Sequence, residues 1–403
     1  MKKFFLLAAL AATAAAACTK NGSEAEPPSG RAEVGFTISS AAIGATRAAP
    51  VPADEALVNT VDAFVFNATG DLDAYGHYTG TDFTTTEGVT TLNDDQKLSC
   101  ATGPGKKIWI VINGNDGNVT NGYASGIKNE TDLKSQVFLL TQNAKGATPT
   151  LDNFQMIGSA AATFVPGNNS VSVEVSRLVA RVWIKKITKN FTSAAQNAAL
   201  TIKNIYMSNV VGSVRYDGTC KTAANDTWFN KYAYDAKHSP YATHVAVDAA
   251  ENLWLNANLS PAVTIAEDAS STAVASTFYV MPNNVAWGTG STFGPTGGDT
   301  WSPRHTKLVV ETEYEGTTYY YSLPIADNGT NGYPIGKAGD DGSTFHGLKA
   351  NYSYEIEELV LTRLGSTNPD EPVVPAMANF NLSVKGWATQ LMAMDTETGQ
   401  YII

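Results

Sequence analysis

Residues 171–187 read VSVEVSRLVARVWIKKI, an unusually long run of residues that favour β-strands. Valine, isoleucine and tryptophan fit the pleated, half-buried surface of a sheet, and the proline, glycine and asparagine residues before the run are typical of a turn. A boundary between two domains is predicted near Ser176, partway through the run. The stretch therefore predicts a fold of strands that continues on both sides of it.

Shorter strand-like runs flank this stretch. Towards the N-terminus, residues 61–66 (VDAFVF) and 107–112 (KIWIVI) are each followed by a turn rich in small and polar residues. Glu315 and Gly316 lie between two later runs and predict a β-hairpin. The runs towards the C-terminus cover residues 199–207, 244–248, 277–281, 307–314, 318–325 and 352–362.

One helix is predicted in the first half of the chain. Asn129 can cap its N-terminus together with Asp132, three residues further on. Leu133, Val137 and Leu140 would then lie on one face of the helix. The chain is therefore predicted to be all-β with a minor helical part.

The composition is that of a β-rich extracellular protein. Of the 403 residues, 16% are charged and 10% are aromatic. The length suggests about two domains, for which β-sandwiches fit the pattern best. The 38 acidic residues outnumber the 27 basic ones and give a net charge of −11, which argues against a nucleic-acid partner.

The N-terminus is typical of a lipoprotein signal peptide, assigned to residues 1–17. Lys2 and Lys3 precede a short apolar stretch at residues 4–10, and small residues continue up to Cys18. The stretch is too short for a permanent membrane span, so it is predicted to be cleaved and Cys18 to carry a lipid. An ordinary signal peptide with an incidental cysteine is the alternative.

The segment that follows the signal is polar. Residues 19–30 contain prolines and glycines without periodicity, which suits a flexible tether. Export to the cell envelope is the predicted destination of the chain.

No set of catalytic or metal-binding side chains stands out. The acidic loops at residues 114–117 and 339–342 lack the spacing of an EF-hand. Glu357 and Glu358 are adjacent in a predicted strand, where neighbouring side chains face opposite sides. The histidines do not form a ligand-like pair on a helix; they are His77, His238, His244, His305 and His346. No catalytic residue, metal or cofactor is predicted.

Two cysteines follow the lipid acceptor. Cys100 and Cys220 could form a disulfide, or they could be two buried thiols. The sequence leaves both alternatives open.

The two ends of the chain suggest a function together. Near the N-terminus, an alternating strand carries Val34, Phe36 and Ile38, and a small-residue loop with the lone charge of Arg47 follows it. If a protease cuts after Arg47, this strand can leave and open an apolar groove with unpaired edges. The alternative is that Arg47 is a plain loop arginine. Cutting at Arg31 instead would free no groove, because Arg31 precedes the strand.

The C-terminus carries a second alternating run. A stiff spacer with three prolines covers residues 365–375, and Phe380, Leu382 and Val384 follow it. Such a strand from another copy could fill the vacated groove through main-chain hydrogen bonds and side-chain pockets. A contact of this head-to-tail kind does not close on itself, so it predicts a filament.

The sequence resembles the fimbrillins, the type V pilins of Gram-negative anaerobes, over nearly all of its length. Besides the signal at Cys18 and the cleavable loop at residues 46–48, several motifs carry the resemblance in order. They are VDAFVFNATGDL (61–72), GKKIWIVINGN (105–115), SRLVARVWI (176–184), FYVMPN (278–283) and NYSYEIEELVLTRLGSTNPDEP (351–372).

The resemblance implies a domain organisation and a maturation path. It implies two transthyretin-like β-sandwich domains in tandem, a lipoprotein precursor, cleavage between Arg47 and Ala48 by an arginine-specific protease, and polymerisation by C-terminal donor-strand exchange. The segments are residues 1–17 (signal), 18–47 (propeptide with the removable strand), 48–175 and 176–376 (domains) and 377–403 (donor-strand extension). The donor residues would be Phe380, Leu382, Val384, Leu391, Met392 and Met394.

The implied partners are other copies of the chain, accessory fimbrial subunits and the protease. The outer membrane is a transient partner through the lipid, and the mature protein is expected in a fimbrium on the cell surface, without enzymatic activity. Having both a cleavable loop and an extension favours a shaft subunit over a tip or anchor. The tail after Trp387 is somewhat longer than the family pattern, so the residues that insert stay open.

A surface glycan-binding lipoprotein is the alternative from another functional class. It predicts exposed aromatic platforms, for which Trp228, Trp254, Trp287 and Trp301 are candidates. An extracellular hydrolase ranks third, because no carboxylate pair supports it.

Overall fold

The structure of the protein is a computed structural model. The residues that it describes are 30–40, 57–86, 89–114, 126–139, 154–191, 197–221, 228–230, 255, 257, 259, 261–267, 271–272, 274–283, 306–325, 348–369, 378–386, 393–394 and 401–402.

Strands dominate the described chain. The first half contains β1 (Arg31–Ser40), β2 (Thr60–Phe66), β3 (Leu72–Thr79), β4 (Phe83–Thr86), β5 (Val89–Leu92), β6 (Leu98–Ala101), β7 (Gly103–Ile112), helix α1 (Glu130–Ser135), β8 (Val137–Leu139), β9 (Met156–Phe164) and β10 (Gly167–Arg177). A 3-10 turn at Asp94–Gln96 separates β5 from β6.

The second half continues in the same way. It contains β11 (Ala180–Ile184), β12 (Ile187–Lys189), β13 (Leu200–Ser208), β14 (Val210–Val211), β15 (Ser213–Arg215), β16 (Trp228–Phe229), β17 (Val263–Ile265), β18 (Ser271–Thr272), β19 (Ser276–Val280), β20 (Lys307–Tyr314), β21 (Thr317–Pro324), β22 (Tyr352–Leu361), β23 (Ala378–Gly386), β24 (Ala393–Met394) and β25 (Tyr401–Ile402). The all-β prediction is confirmed. Within the described residues no helix is both long and apolar enough to cross a membrane.

The strands of the first half, except β8, form one large sheet. Its nine strands run in the order β3-β2-β7-β9-β10-β1-β5-β4, with β6 paired to β1. One apolar core lines this sheet, and Val61, Ile108, Phe164 and Val173 belong to it. Side chains alternate between this core and the opposite face, as the period of a strand requires.

The second half is built from two main sheets. One has the order β18-β12-β22-β11-β19, with β23 on the other side of β22, and the second has the order β17-β13-β20-β21. Val182 and Ile356 from the first of these sheets share an apolar cluster with Ile205 and Val310 from the second. Burial of one face of each sheet in a common core is the arrangement of a β-sandwich.

The long run at residues 171–187 is divided among three strands. β10 ends at Arg177 in the nine-stranded sheet, and β11 begins at Ala180 in the sheet of the second half. Between them the amide of Leu178 donates to the carbonyl of Gln155, 3.1 Å away. The chain thus passes from one sheet to another close to Ser176, without a long loop.

The predicted hairpin at Glu315 and Gly316 is confirmed. Tyr314 pairs with Thr317, so two residues connect β20 to β21. The φ angles of Glu315 and Gly316 are 48° and 78°. Positive φ at both central residues is the signature of the type I′ turn that matches the twist of a hairpin.

The helix prediction is right about the cap and wrong about the face. Asn129 accepts a hydrogen bond from the amide of Asp132 at 2.9 Å, and the Asp132 carboxylate accepts one from the amide of Asn129. Helix α1 ends at Ser135, however, and Val137 is in β8, paired with Arg215. Pairing with a distant strand overrides the helical periodicity there. Leu140 and the predicted strand at 244–248 lie outside the described residues.

Candidate functional site: the groove around the first strand

Strand β1 lies inside the nine-stranded sheet, although it comes first in the chain. On one side it runs parallel to β10, from Ala32 opposite Gly167 to Ser40 opposite Val175. On the other side it is antiparallel to β6 near its beginning and to β5 near its end. An N-terminal segment therefore supplies an interior strand of the sheet.

One face of β1 is completely buried. Ala32, Val34, Phe36 and Ile38 are 0–1% exposed, while the residues between them are half-buried. The predicted alternation of Val34, Phe36 and Ile38 is confirmed, and Ala32 extends it by one position. Burying the three larger side chains contributes about 1.5–3 kcal/mol each, or roughly 6 kcal/mol together.

Without β1, its place would be an apolar groove with two open walls. β10 would lose its partner over nine residue pairs, and β5 and β6 would lose three and four pairs respectively. Unpaired strand edges beside an apolar surface favour binding of another extended segment. The geometry can therefore hold a strand, whether it comes from the same chain or from another one.

Cys100 lies in the wall of this groove. It pairs with Ala32 across β6 and β1, and both residues are 0% exposed. Burial, with a smaller contribution from the negative charge of Asp73, raises the pKa of the Cys100 thiol to about 12. Cys100 and Cys220 are both buried and do not form a disulfide, so of the two alternatives the structure has separate buried cysteines.

The burial of the Cys100 thiol beside β1 can be tested by chemical labelling. In a chain that starts after Cys18 and carries Cys220→Ser, we expect Cys100 to be unreactive towards a maleimide at pH 8 while β1 is in place. Raising the pH to 9.5 speeds labelling of the unfolded chain but not of the folded one, because the folded thiol stays protonated up to about pH 12. Mass spectrometry measures the labelling. Rapid labelling of the folded chain would show that Cys100 is not buried beside β1.

Arg31, the competing cleavage site, is held within the sheet. Its Nε donates to Ser99 Oγ at 2.9 Å, and its Nη2 donates to the Ser99 carbonyl at 3.0 Å. Its backbone pairs with Ala101 of β6. A protease needs an extended, accessible segment, which a paired interior strand does not offer. Cys18, Arg47 and Ala48 lie outside the described residues.

Protection of Arg31 is tested by limited proteolysis. When the folded precursor is treated with an arginine-specific protease, we expect the first new N-terminus at Ala48 and none at Ala32. Ser99→Ala removes one of the two hydrogen bonds and should speed cleavage after Arg31 by less than about tenfold, because the strand pairing remains. N-terminal sequencing over a time course measures both rates. Early appearance of an N-terminus at Ala32 would show that the sheet does not protect Arg31.

The C-terminal candidate residues are held elsewhere. Phe380, Leu382 and Val384 belong to β23, which pairs antiparallel with β22 of the same chain. Met394 belongs to β24, which pairs with β25. Leu391 and Met392 lie outside the described residues. The structure thus shows the groove filled by β1 and the candidate donor strand on a different sheet.

The other polar candidates have structural partners. His77 Nδ1 is 2.7 Å from Asp62 Oδ1, which also accepts the Tyr75 hydroxyl at 2.6 Å. Glu357 pairs with Lys185 and Glu358 with Lys186, so these two carboxylates do not form one site. In the part of the chain with described coordinates, no group of three potential metal ligands occurs.

The remaining candidates from the sequence are four tryptophans and four histidines, most of which lie outside the described residues. Trp228 is half-buried in β16. The other candidates lie outside the described residues: His238, His244, His305, His346, Trp254, Trp287 and Trp301.

Comparisons with known proteins agree with the resemblance seen in the sequence. A family model described as major fimbrial subunit protein (FimA) matches residues 32–343. No curated protein matches the chain.

Several solved structures share the fold. A candidate cell adhesion protein from Bacteroides eggerthii DSM 20697 is 19% identical, with a TM-score of 0.55 over 92% of this chain and 100% of that one. A fimbrilin from Porphyromonas gingivalis W83 is 17% identical, with a TM-score of 0.55 over 89% and 98%. A candidate cell adhesion protein from Parabacteroides distasonis ATCC 8503 is 19% identical, with a TM-score of 0.54 over 89% and 99%.

The family match covers most of the chain and includes the strand β1 from Ala32 onwards. A fimbrial subunit is a structural protein of a cell-surface fimbrium and not an enzyme, and it assembles with other subunits. The chain therefore belongs to the FimA family of major fimbrial subunit proteins.

Proposed function

We propose that the chain is a shaft subunit that is exported as a lipoprotein and polymerises by strand exchange. The lipid on Cys18 carries the precursor to the outer membrane, and an arginine-specific protease cuts between Arg47 and Ala48. The C-terminal extension, residues 377–403, of one subunit then takes the place of β1 in the next. The resulting filament supports adhesion.

The observation that carries this proposal is the interior position of β1. A strand that precedes the cleavable loop pairs on both sides within the sheet and buries four side chains, Ala32, Val34, Phe36 and Ile38. Cutting the loop turns this strand into a separate peptide that only non-covalent contacts hold. Its place can then be taken by a strand of similar shape that remains attached to a subunit.

The lasting strength of such a filament follows from the same contacts. An inserted strand regains the apolar burial, about 1.5–3 kcal/mol for each large side chain, and the main-chain hydrogen bonds, about 1 kcal/mol each. The contact is heterologous, because the groove of one copy meets the extension of another. Residues 48–175 and 176–376 would form the two sandwich domains of each mature subunit.

The test uses separate variants at the two ends. Arg47→Lys keeps the positive charge but removes the arginine, and a second variant lacks residues 377–403. We expect both to abolish the ladders of subunits that resist sodium dodecyl sulfate, because one keeps β1 in place and the other has no donor. Arg31→Lys is the matched control and should form ladders. If both test variants still form ladders, strand exchange is not the mechanism.

A further inference from the structure

We propose that β23 is the part of the extension that fills the groove, and that it inserts in one register. This inference rests on the proposed function and specifies which residues of a second copy occupy the site. In this register the inserted strand is parallel to β10, as β1 is, and Ala378 faces Cys100. Phe380, Leu382 and Val384 take the positions of Val34, Phe36 and Ile38.

The sequences of the two strands carry the register. From Ala32, β1 reads AEVGFTIS, and from Ala378, β23 reads ANFNLSVK. Each has alanine first, three larger apolar residues at alternate positions, and small, polar or charged residues between them. The tail at residues 387–403 has no more than two apolar residues in succession at alternate positions. The tail therefore cannot reproduce the buried face of β1, whereas β23 can.

The alanine at the start of each strand, Ala32 in β1 and Ala378 in β23, fixes the alignment of β23 in the groove. Ala32 is fully buried opposite the fully buried Cys100, so this position encloses a side chain of a single methyl group, and we call it the narrow end of the groove. Moving the inserted strand by two residues would put Phe380 at the narrow end, and moving it by one would turn every side chain to the other face. Inserting it in the reverse direction would put Val384 there and leave Ala378 in the space of Ile38.

The exchange also increases the pairing of β23. Within its own chain, β23 pairs with β22 over eight residue pairs, and β22 is its partner among the described strands. In the groove it would pair with β10 over nine positions and with β5 and β6 on the other side. An edge strand would become an interior strand, so more of its main-chain groups would be hydrogen-bonded.

The chain before β23 limits how far this strand can move. The Pro369 carbonyl accepts hydrogen bonds from Ser322 Oγ and Lys307 Nζ, which fixes that point to the sheet of β20 and β21. Eight residues, 370–377, separate Pro369 from Ala378. Fully extended they span roughly 28 Å, which sets the greatest distance between Pro369 and the inserted strand if Pro369 stays in place.

A disulfide between subunits tests the register. Ala378→Cys is combined with the natural Cys100 and with Cys220→Ser in a chain that starts after Cys18. The subunits are cleaved and allowed to polymerise with copper phenanthroline, which accepts the two electrons released when two thiols join and lose their protons. Opposed residues of antiparallel strands lie about 4.5–5.5 Å apart at Cα, within the range of a disulfide. We expect ladders that survive boiling without reductant and collapse to monomer with it.

The outcomes separate the register from the mechanism. A ladder from Phe380→Cys or Val384→Cys, but not from Ala378→Cys, would overturn the register or the direction. Polymers that resist detergent while none of the three variants cross-links would overturn the role of β23 and leave strand exchange standing. Failure of the cleaved parent chain to polymerise would instead overturn the proposed function.

A second measurement needs no oxidation. Ala378→Leu should lower polymer yield by about tenfold, because the larger side chain does not fit beside Cys100. Cys100→Gly in the same chain removes the thiol and should restore much of the yield. If Ala378→Leu polymerises like the parent under reducing conditions, Ala378 does not lie at the narrow end of the groove.

Discussion

Ala32→Cys is expected to lock the first strand and stop polymerisation. The new thiol faces Cys100 across β1 and β6, where both positions are completely buried. The separation of opposed antiparallel residues suits a disulfide. Once that bond forms, cleavage after Arg47 no longer frees β1, so the groove stays filled. Ladders should be absent under oxidising conditions and return when a reductant is added.

Gel electrophoresis with and without reductant detects this disulfide. The cleaved, oxidised variant should migrate with its N-terminal fragment attached and lose that fragment on reduction. Ala32→Ser, which cannot form the bond, should polymerise like the parent. Ladders from the fully oxidised Ala32→Cys protein would show that β1 does not have to leave.

Phe36→Ala is expected to destabilise the precursor and leave the filament unchanged. Phe36 is 1% exposed and is the largest side chain that β1 buries. Its truncation should lower the free energy of unfolding of the precursor by about 3–5 kcal/mol, as is usual for a buried phenylalanine. In the proposed mechanism the mature subunit lacks β1, so the same change should not affect a filament that has already formed.

Phe64→Ala provides the matched comparison. Phe64 is also fully buried, but it lies in β2, which the proposed cleavage after Arg47 would leave in the subunit. It should destabilise the precursor and the filament alike. Urea unfolding of the precursor and thermal dissociation of the filament measure the two effects. If Phe36→Ala weakens the assembled filament as much as Phe64→Ala does, β1 remains in the mature subunit.

Local sequence predicted individual strands well. The alternation of Val34, Phe36 and Ile38 gave the right buried face, because period-two patterning requires only neighbouring residues. The hairpin at Glu315 and Gly316 could also be predicted, because two residues that include a glycine between two strand-like runs are a local signal of a two-residue turn.

Contacts between distant segments have no signature in the local sequence. No local pattern indicates that Cys100 faces Ala32 or that Ser99 binds Arg31, because these pairs form only when the sheet assembles. Val137 was misplaced in the helix for the same reason, since its partner in β15 is far along the chain. The alternation at Phe380 showed a strand, but not that β22 of the same chain holds it.

The interior position of β1 also gives the proposed cleavage a physical reason. While β1 fills the sheet, it pairs with β10 on one side and with β5 and β6 on the other, so within the described residues this groove is closed to another copy. In the proposed pathway, a strand that the chain itself supplies would keep assembly from starting until the strand is removed after export. The central claim is therefore that residues up to Arg47 are absent from the assembled subunit.

The N-terminal sequence of the subunit in filaments sheared from the cell surface tests that claim most directly. We expect the subunit to begin at Ala48. A subunit that begins at a lipid-bearing Cys18, or at Ala32 with β1 still in place, would contradict it.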